Sequence, residues 1–592
     1  MKGNRLFYLL SLAVISAMVL SACAPATQAP LPTLAPNAGA TKAAADLAAT
    51  KAAEAAAPAA TAAPPAEPKT LTIGFQQEPT SLYPACSNMT FAVWVGQMTN
   101  PGIWTWDGDN QPIMELAEKM PNAADGSISA DGLTYTYTLK PGLKWSDGEP
   151  LTSADFKFTW ETIIDPANTC IISRLGYDSI ESIETPDDVT AVVKFKEFYA
   201  PWGNLFAMSG NSGSGLVPRH VLEGQALDNN DFLRQPITAG AYYVESWVQG
   251  DLITLQANDN YFRGRPKIDT IFIKMVPSRE ALLAALQTGD VDLGPDFVEA
   301  SIPDLENTPG VAAIAITSSS FEHYLFNLDQ DPAVGFCPFQ DVRVRKAMIL
   351  GIDRFTIADT LLFGKTRVVS NLWPNTPVEN TDLAPYPYDP AQAMALLDEA
   401  GYTDADGDGI REGACNGETV KLSFTHQTTT PNQLRADVQA LAAQNLLDIG
   451  IEMIPDNKSP DILFAGYAGD GPLATGKFVL GGYTTSFIPD PDPAGSFDCD
   501  QIPTADKPDG ANWYRMCFPE LDAMMLEQKS LADPVARADI FKQAQQFMYD
   551  NALFIPFYAR LNVLGVGPRL TGLQGSAFGD VYWNVYDWDV TP

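Results

Sequence analysis

The stretch Gly132–Glu161, GLTYTYTLKPGLKWSDGEPLTSADFKFTWE, constrains the fold more than any other part of the chain. Small polar and large apolar residues alternate from Thr134 to Leu139, which predicts a half-buried strand. Pro141-Gly142 turns the chain, Leu143-Lys144-Trp145 predicts a second short strand, and Asp147-Gly148 turns it again. Thr152 stands three residues before Asp155, a pair that can satisfy the free N–H groups of a helix start. Phe156, Trp160 and Ile163 follow at helical spacing, and Asp165-Pro166 ends the helix. The unit is strand, turn and helix, and none of it is chemistry.

At 592 residues the chain exceeds what one core can organise, so at least two lobes are expected. It carries 37 Lys and Arg against 72 Asp and Glu, a formal net charge of −35. Such a surface repels nucleic acid and anionic lipid, so no nucleic-acid partner is expected. Three histidines (His220, His323, His426) and the lack of a CxxC argue against zinc. Ser209–Gly215 lacks the G-x-S-x-G pattern of a nucleophile elbow and reads as a flexible loop. Asp461–Tyr467 reads as a strand, and the basic residues from Arg343 to Arg354 read as helix packing with surface salt bridges.

Lys2 and Arg5 followed by apolar Leu6–Leu20 read as an export signal, shorter than the ~18 residues of a membrane span. Leu20-Ser21-Ala22-Cys23 resembles the lipobox of bacterial lipoproteins, in which the cysteine thiol is acylated. Residues 24–68 are nearly all Ala, Pro and Thr, too poor in large apolar groups to fold, and read as a tether with a frayed helix near Ala43–Ala57. Six cysteines remain after Cys23, consistent with up to three disulfides in an exported chain. The short Pro- and Asp-rich loop favours Cys499–Cys517. Cys337–Cys415 and Cys86–Cys170 are drawn from the remaining four with no further reason.

Four ordered blocks share one further property. They are the Gly132–Glu161 stretch, residues 236–294 with Asn260–Pro266 and the amphipathic helix Ala281–Asp292, Phe339–Ala347 with Gly351–Arg354, and Pro519–Asp522 with Ala552–Arg560. Together they resemble the extracellular solute-binding proteins of the oligopeptide, dipeptide and nickel type, the ligand-capturing subunits of ABC importers, over residues ~70–575. The resemblance implies an α/β, two-lobed periplasmic-binding-protein-like fold (type II, cluster C) with an extra subdomain in the first lobe. The implied boundaries are a signal peptide at 1–22, a tether at 23–68, lobe I at 69–107 and 236–325, and the extra subdomain at 108–235. Lobe II takes 326–553, and 554–592 returns to lobe I.

The resemblance also implies a ligand cleft, with no catalytic residues. Glu78, Pro79 and Thr80 correspond to the family's "EPTSLDP" corner, and Phe321 and Glu322 lie where its lobes cross over. Trp94 and Trp373 are further cleft candidates. Peptide-binding members pair an aspartate of "W-x-x-D…D-P" with the peptide ammonium. Here Tyr483 stands near the Trp position and Ser486 near the Asp, which opens a sugar-binding reading with Tyr483, Phe487 and Trp513 as platforms. An oligopeptide is the first expectation and an oligosaccharide the alternative. Permease subunits, a membrane held through the lipid anchor, an outer-face location and a monomeric state are also implied.

Asp404, Asp406, Asp408, the Ile410 carbonyl and Glu412 match positions 1, 3, 5, 7 and 9 of a calcium loop, with Cys415 where the bidentate glutamate belongs. A structural calcium or a plain acidic turn both fit, and no other cofactor is expected. An exported glycoside hydrolase would need two positioned carboxylates, and no local motif selects a pair. A sensor or adhesin on the same fold would need an output domain.

Overall fold

Alternating apolar residues make Thr70–Phe75 the first strand, β1, with Leu71 and Ile73 fully buried. The computed structural model describes residues 67–591 apart from 88, 110, 210–211, 214 and 579. The expected signal peptide, Cys23, the Ala43–Ala57 helix and nearly all of the tether lie outside the described residues, as does part of the Ser209–Gly215 loop.

The 236–294 block builds strands β2 (Tyr242–Val248), β3 (Leu252–Ala257) and β4 (Thr270–Met275), the helix Arg279–Thr288, and β5 (Leu293–Phe297). Ser278 caps the helix by accepting from the Ala281 N–H, and Gly289 ends it at φ 78°, a conformation that favours glycine. β1 runs parallel to both β4 and β5, so strand, helix and strand form a βαβ crossover.

Two long strands follow, β6 (Ala312–Phe326) and β10 (Phe554–Val566). Between them in sequence come β7 (Ser423–Gln427), β8 (Glu452–Pro455) and β9 (Leu480–Thr485). The ten strands form one sheet in the order β8-β7-β9-β6-β10-β5-β1-β4-β3-β2. Antiparallel β6 and β10 therefore join the half built from β1–β5 to the half built from β7–β9. This is the two-lobed α/β arrangement expected. Near the middle of β6 the register with β10 shifts between Thr317 and Phe321, and Ser318-Ser319-Ser320 fill the irregularity.

The Gly132–Glu161 stretch lies in a smaller body, the antiparallel sheet Thr134–Thr138, Thr190–Phe195 and Ile180–Glu184 packed with the helix Ser153–Ile164. The expected cap is present: Asp155 Oδ2 accepts from the Thr152 N–H at 2.8 Å. Tyr135, Tyr137, Phe156, Trp104 and Trp202 fill its core. All three expected disulfides are present, Cys86–Cys170, Cys337–Cys415 and Cys499–Cys517.

Three expectations fail. Leu143–Trp145 is no strand; only a single bridge, Lys144 with Pro150, survives between its turns. Asp461–Tyr467 is not a strand either: it starts in the short helix Pro460–Leu463, because Pro460 supplies the fixed φ of a first helical turn. The basic cluster 343–354 does not form only surface ion pairs. Arg343 pairs with Asp341, but Arg345 and Arg354 are buried and donate to the carbonyls of Phe339, Asn551 and Ala552 and of Pro556 and Tyr386.

Candidate functional site

Two open cavities lie beside the crossing strands. The first, about 580 Å³, opens where β9 ends and the 486–497 segment begins. Its walls are aromatic. The Phe464 and Trp513 rings stack at 6.1 Å and 24°, and Tyr483 meets both edge-on at 5.6 and 6.1 Å. Thr484, Thr485 and Ser486 add hydroxyls, and Asp492 is the one charged side chain lining it among the described residues. The Cys499–Cys517 disulfide closes the loop that carries Trp513 and Tyr514.

Behind this wall the Tyr514 hydroxyl lies 2.8 Å from His323 Nε2. Burial holds the His323 imidazole down at about 4, so it is neutral near pH 7. The hydroxyls of the β6 serines tie the same wall to the crossing strands. Ser319 Oγ donates to the Phe487 carbonyl at 2.6 Å, Ser320 Oγ lies 2.7 Å from Ser486 Oγ, and Ser318 Oγ donates to the Arg560 carbonyl at 3.0 Å.

The second cavity, about 670 Å³, is lined by both apolar and charged groups. Trp94 packs among Phe75, Phe91 and Tyr582 at 5.8, 5.1 and 6.2 Å. Its charges are already matched: Arg279 lies 3.4 Å from Asp296, and Arg560 lies 2.8 Å from Glu299.

Arg560 connects the two cavities. Its Nη1 donates to Thr484 Oγ1 at 3.1 Å and lies 3.4 Å from Glu322 Oε2. Glu322 also takes Arg435 Nε at 2.8 Å and Thr484 Oγ1 at 2.6 Å. Burial pushes the Glu322 carboxyl upward, but the charges of Arg435 and Arg560 and the bonds from Arg435 and Thr484 outweigh it and hold it below the ordinary carboxylate range. Two glutamates and two arginines thus form a balanced node where the halves of the sheet meet.

Residues 111–495 match the family model of bacterial extracellular solute-binding proteins, family 5 (middle). The chain belongs to this family. It is 28% identical over 476 residues to the oligopeptide-binding protein AppA of Bacillus subtilis, covering 77% of this chain and 81% of that protein. It is 24% identical over 502 residues to the glutathione-binding protein GsiB of Salmonella paratyphi A, covering 83% and 89%. The solved structure of B. subtilis AppA with a nonapeptide covers 89% of this chain and 100% of its own, at 24% identity and a TM-score of 0.62. The substrate-binding protein CtaP of Listeria monocytogenes gives 0.72 at 22% identity, over 88% and 99%. These structures support the fold.

In this family 5 chain Tyr483, Ser486, Phe487 and Trp513 come together in the aromatic cavity, and Trp94 lines the second. Phe321, Glu322 and Trp373 are buried behind them. Phe321 and Trp373 pack on Phe487 at 5.9 and 5.8 Å, and Glu322 sits in the charged node. Glu78, Pro79 and Thr80 line neither cavity. Glu78 accepts from Trp247 Nε1 and the Gly250 N–H, pinning the β2–β3 hairpin, and its neighbour Gln77 lines the second cavity. Sequence reasoning missed Phe464, Asp492, Arg279, Glu299 and Arg560 as lining residues. Arg560 had a signal: with Asn562 it interrupts an otherwise apolar strand.

The Asp404–Glu412 loop folds around its own backbone. Asp404 accepts from the Gly407 and Gly409 N–H groups, and Asp404, Asp406 and Glu412 bring carboxylate oxygens within 4.8 Å of one another. The Lys421 ammonium lies 2.8 Å from Asp406 and 2.5 Å from Asp408, and already supplies positive charge to two of the expected ligands. Among the described residues no helix is long and apolar enough to cross a membrane.

Proposed function

We propose that this solute-binding protein captures oligopeptides between the two halves of its sheet and passes them to a membrane permease. The observation that carries the reading is the pair of open cavities flanking β6 and β10, one walled by aromatic rings and hydroxyls, joined through Arg560. Aromatic walls accept many side chains, and hydroxyls with water between them accept varied backbones. A ligand touching both halves favours their closed arrangement by its differential affinity for it. The relatives described above are named for peptides and glutathione, which supports the peptide over the oligosaccharide. Acylation of Cys23, the 24–68 tether and an outer-face location complete the proposal, as does action as a monomer with no catalytic step.

Isothermal titration of the full chain against peptide and oligosaccharide panels tests it. Peptides are expected to bind and Trp513→Ala to weaken them about tenfold or more. Binding of oligosaccharides alone would overturn the peptide reading, and turnover of a bound peptide would overturn the binding-only role.

A further inference from the structure

The smaller body and the wall of the aromatic cavity belong to separate cores. Trp202 and Leu205 pack with Tyr135 and Phe156 in the one, and Phe497, Leu521 and Phe541 pack in the other. The two meet where Tyr199–Asn204 reaches Asp490–Pro493, and Pro491, Asp492 and Pro493 line the cavity. We propose that Tyr199–Asn204 is a latch on that wall, that Asn204 is the residue that positions it, and that its hold sets how slowly a bound ligand leaves. The proposal rests on the capture reading above and adds the smaller body to the parts that act in it.

Asn204 Nδ2 donates to the Asp490 carbonyl at 2.7 Å, across 286 residues of chain. The approach is close at Gly203, where an added methyl would stand 3.9 Å from Asp490 Oδ2. Another approach lies at Gly132, where an added methyl would stand 3.9 Å from the Ala532 Cβ. Tyr199 stands beside Asp492, its ring stacked on Phe195 at 6.1 Å and 16°. Burial, and after it the Asp492 carboxylate, push the Tyr199 hydroxyl up to about 12, so it keeps its proton near pH 7. The wall is also held from its own side. Arg537 donates to Asp490 and, at 2.7 Å, to the Pro491 carbonyl, and Gln528 Nε2 donates to Asp492 Oδ1 at 3.1 Å. Both residues lie on helices of that side, Pro519–Lys529 and Pro534–Asp550, so these bonds persist whatever the smaller body does. The Asn204 bond differs. It joins a neutral amide to a carbonyl between two bodies, and it can break without opening either core. Such a contact adds to a ligand's hold only while it is made.

Stopped-flow binding of the pentapeptide Ala-Phe-Ala-Phe-Ala to the full chain tests the latch, with the variants Asn204→Ala and Asn204→Asp. Asn204→Ala is expected to speed dissociation about three- to tenfold, the worth of one neutral hydrogen bond, and to leave association within about twofold. Asn204→Asp keeps the shape but turns an oxygen toward the Asp490 carbonyl, and is expected to speed dissociation at least as much. The unliganded melting temperature should hold in both. Dissociation unchanged in both variants, or restored in Asn204→Asp, overturns the latch while peptide capture stands. If the pentapeptide does not bind, the failure belongs to the peptide reading, and the unliganded chain decides the latch. Spin labels on Glu184→Cys in the smaller body and Leu526→Cys on the other side, both exposed, then report the spacing of the two bodies. Cys23→Ser leaves only the six paired native cysteines beside them. A longer or broader distance distribution in Asn204→Ala sustains the latch, and an identical one overturns it.

Discussion

The two cavities hold similar volumes and divide the polar work in opposite ways. Around Arg560 every formal charge meets its opposite: Glu299 and Glu322 against Arg435 and Arg560, and Asp296 against Arg279. Around Trp513 the groups are rings, hydroxyls and one carboxylate. A closed set of charges at the crossing of two long strands fixes geometry, because displacing Arg435 or Arg560 leaves the buried Glu322 or Glu299 without its counter-charge. A wall of rings and hydroxyls leaves contacts for a ligand to make. The charged region is therefore assigned to holding the crossing, and the aromatic region to reading the ligand.

Paired substitutions give the sharpest way to break that division. Arg435→Ala removes the closest charged partner of the buried Glu322 and is expected to cost about 3–5 kcal/mol of stability in urea denaturation. Trp513→Ala, on a partly buried ring, is expected to cost about 1 kcal/mol and to act mainly on ligand affinity. If Trp513→Ala unfolds the chain, or Arg435→Ala loses ligand at unchanged stability, the assignment is reversed.

Acid separates the regions by where the loss of stability begins. His323 and His426 are buried, and burial lowers them from 6.5 to about 4 and about 3. Between those values and 6.5 the unfolded chain binds protons that the folded chain does not, so stability falls as pH drops through this window. Glu322, held below its ordinary 4.5, contributes fully above that value and loses its contribution only as pH falls further. Denaturation from about pH 7 to about pH 5 should thus show a decline on the order of 3 kcal/mol. It is expected to shrink in His323→Gln or His426→Gln and to survive Glu322→Gln. Burial raises Glu115, which works in the opposite direction, so the difference between wild type and each histidine variant is the reading, and no difference would mean that the imidazoles ionise inside the fold.

Legibility in the sequence followed the range of the forces involved. The Thr152–Asp155 cap spans three residues and the Ser278-to-Gly289 helix eleven, so their signals are local and both helices fall where expected. Tyr483 and Ser486 were singled out by family likeness and Phe487 and Trp513 as aromatic platforms, and the fold gathers them. Glu322 was marked as a cleft residue from its place where the family's lobes cross over, and nothing nearby in sequence shows the partners that bury it, which lie 113 and 238 residues away. Arg345 and Arg354 looked like surface charges for the same reason: the carbonyls they satisfy belong largely to residues 551–556. Phe464 was placed in a strand, and the Pro460 signal that corrects this is itself local.

The smallest expected effect concerns the Asp404–Glu412 loop, an acidic cluster with its own lysine. Lys421 contacts Asp406 and Asp408, and the hydrogen bond it gives, with that from the Ile410 N–H and then its charge, holds the Asp408 carboxyl low. Calcium entering this loop would have to displace that ammonium and assemble a ligand set that lacks the closing bidentate glutamate. Added calcium is therefore expected to move the melting temperature of the wild-type chain very little. Lys421→Met leaves the three carboxylates within 4.8 Å without that counter-charge and is expected to show the larger calcium-dependent rise. A large rise in the wild-type chain, undiminished by competing sodium, would show that the lysine yields to the ion and that the loop is a calcium site.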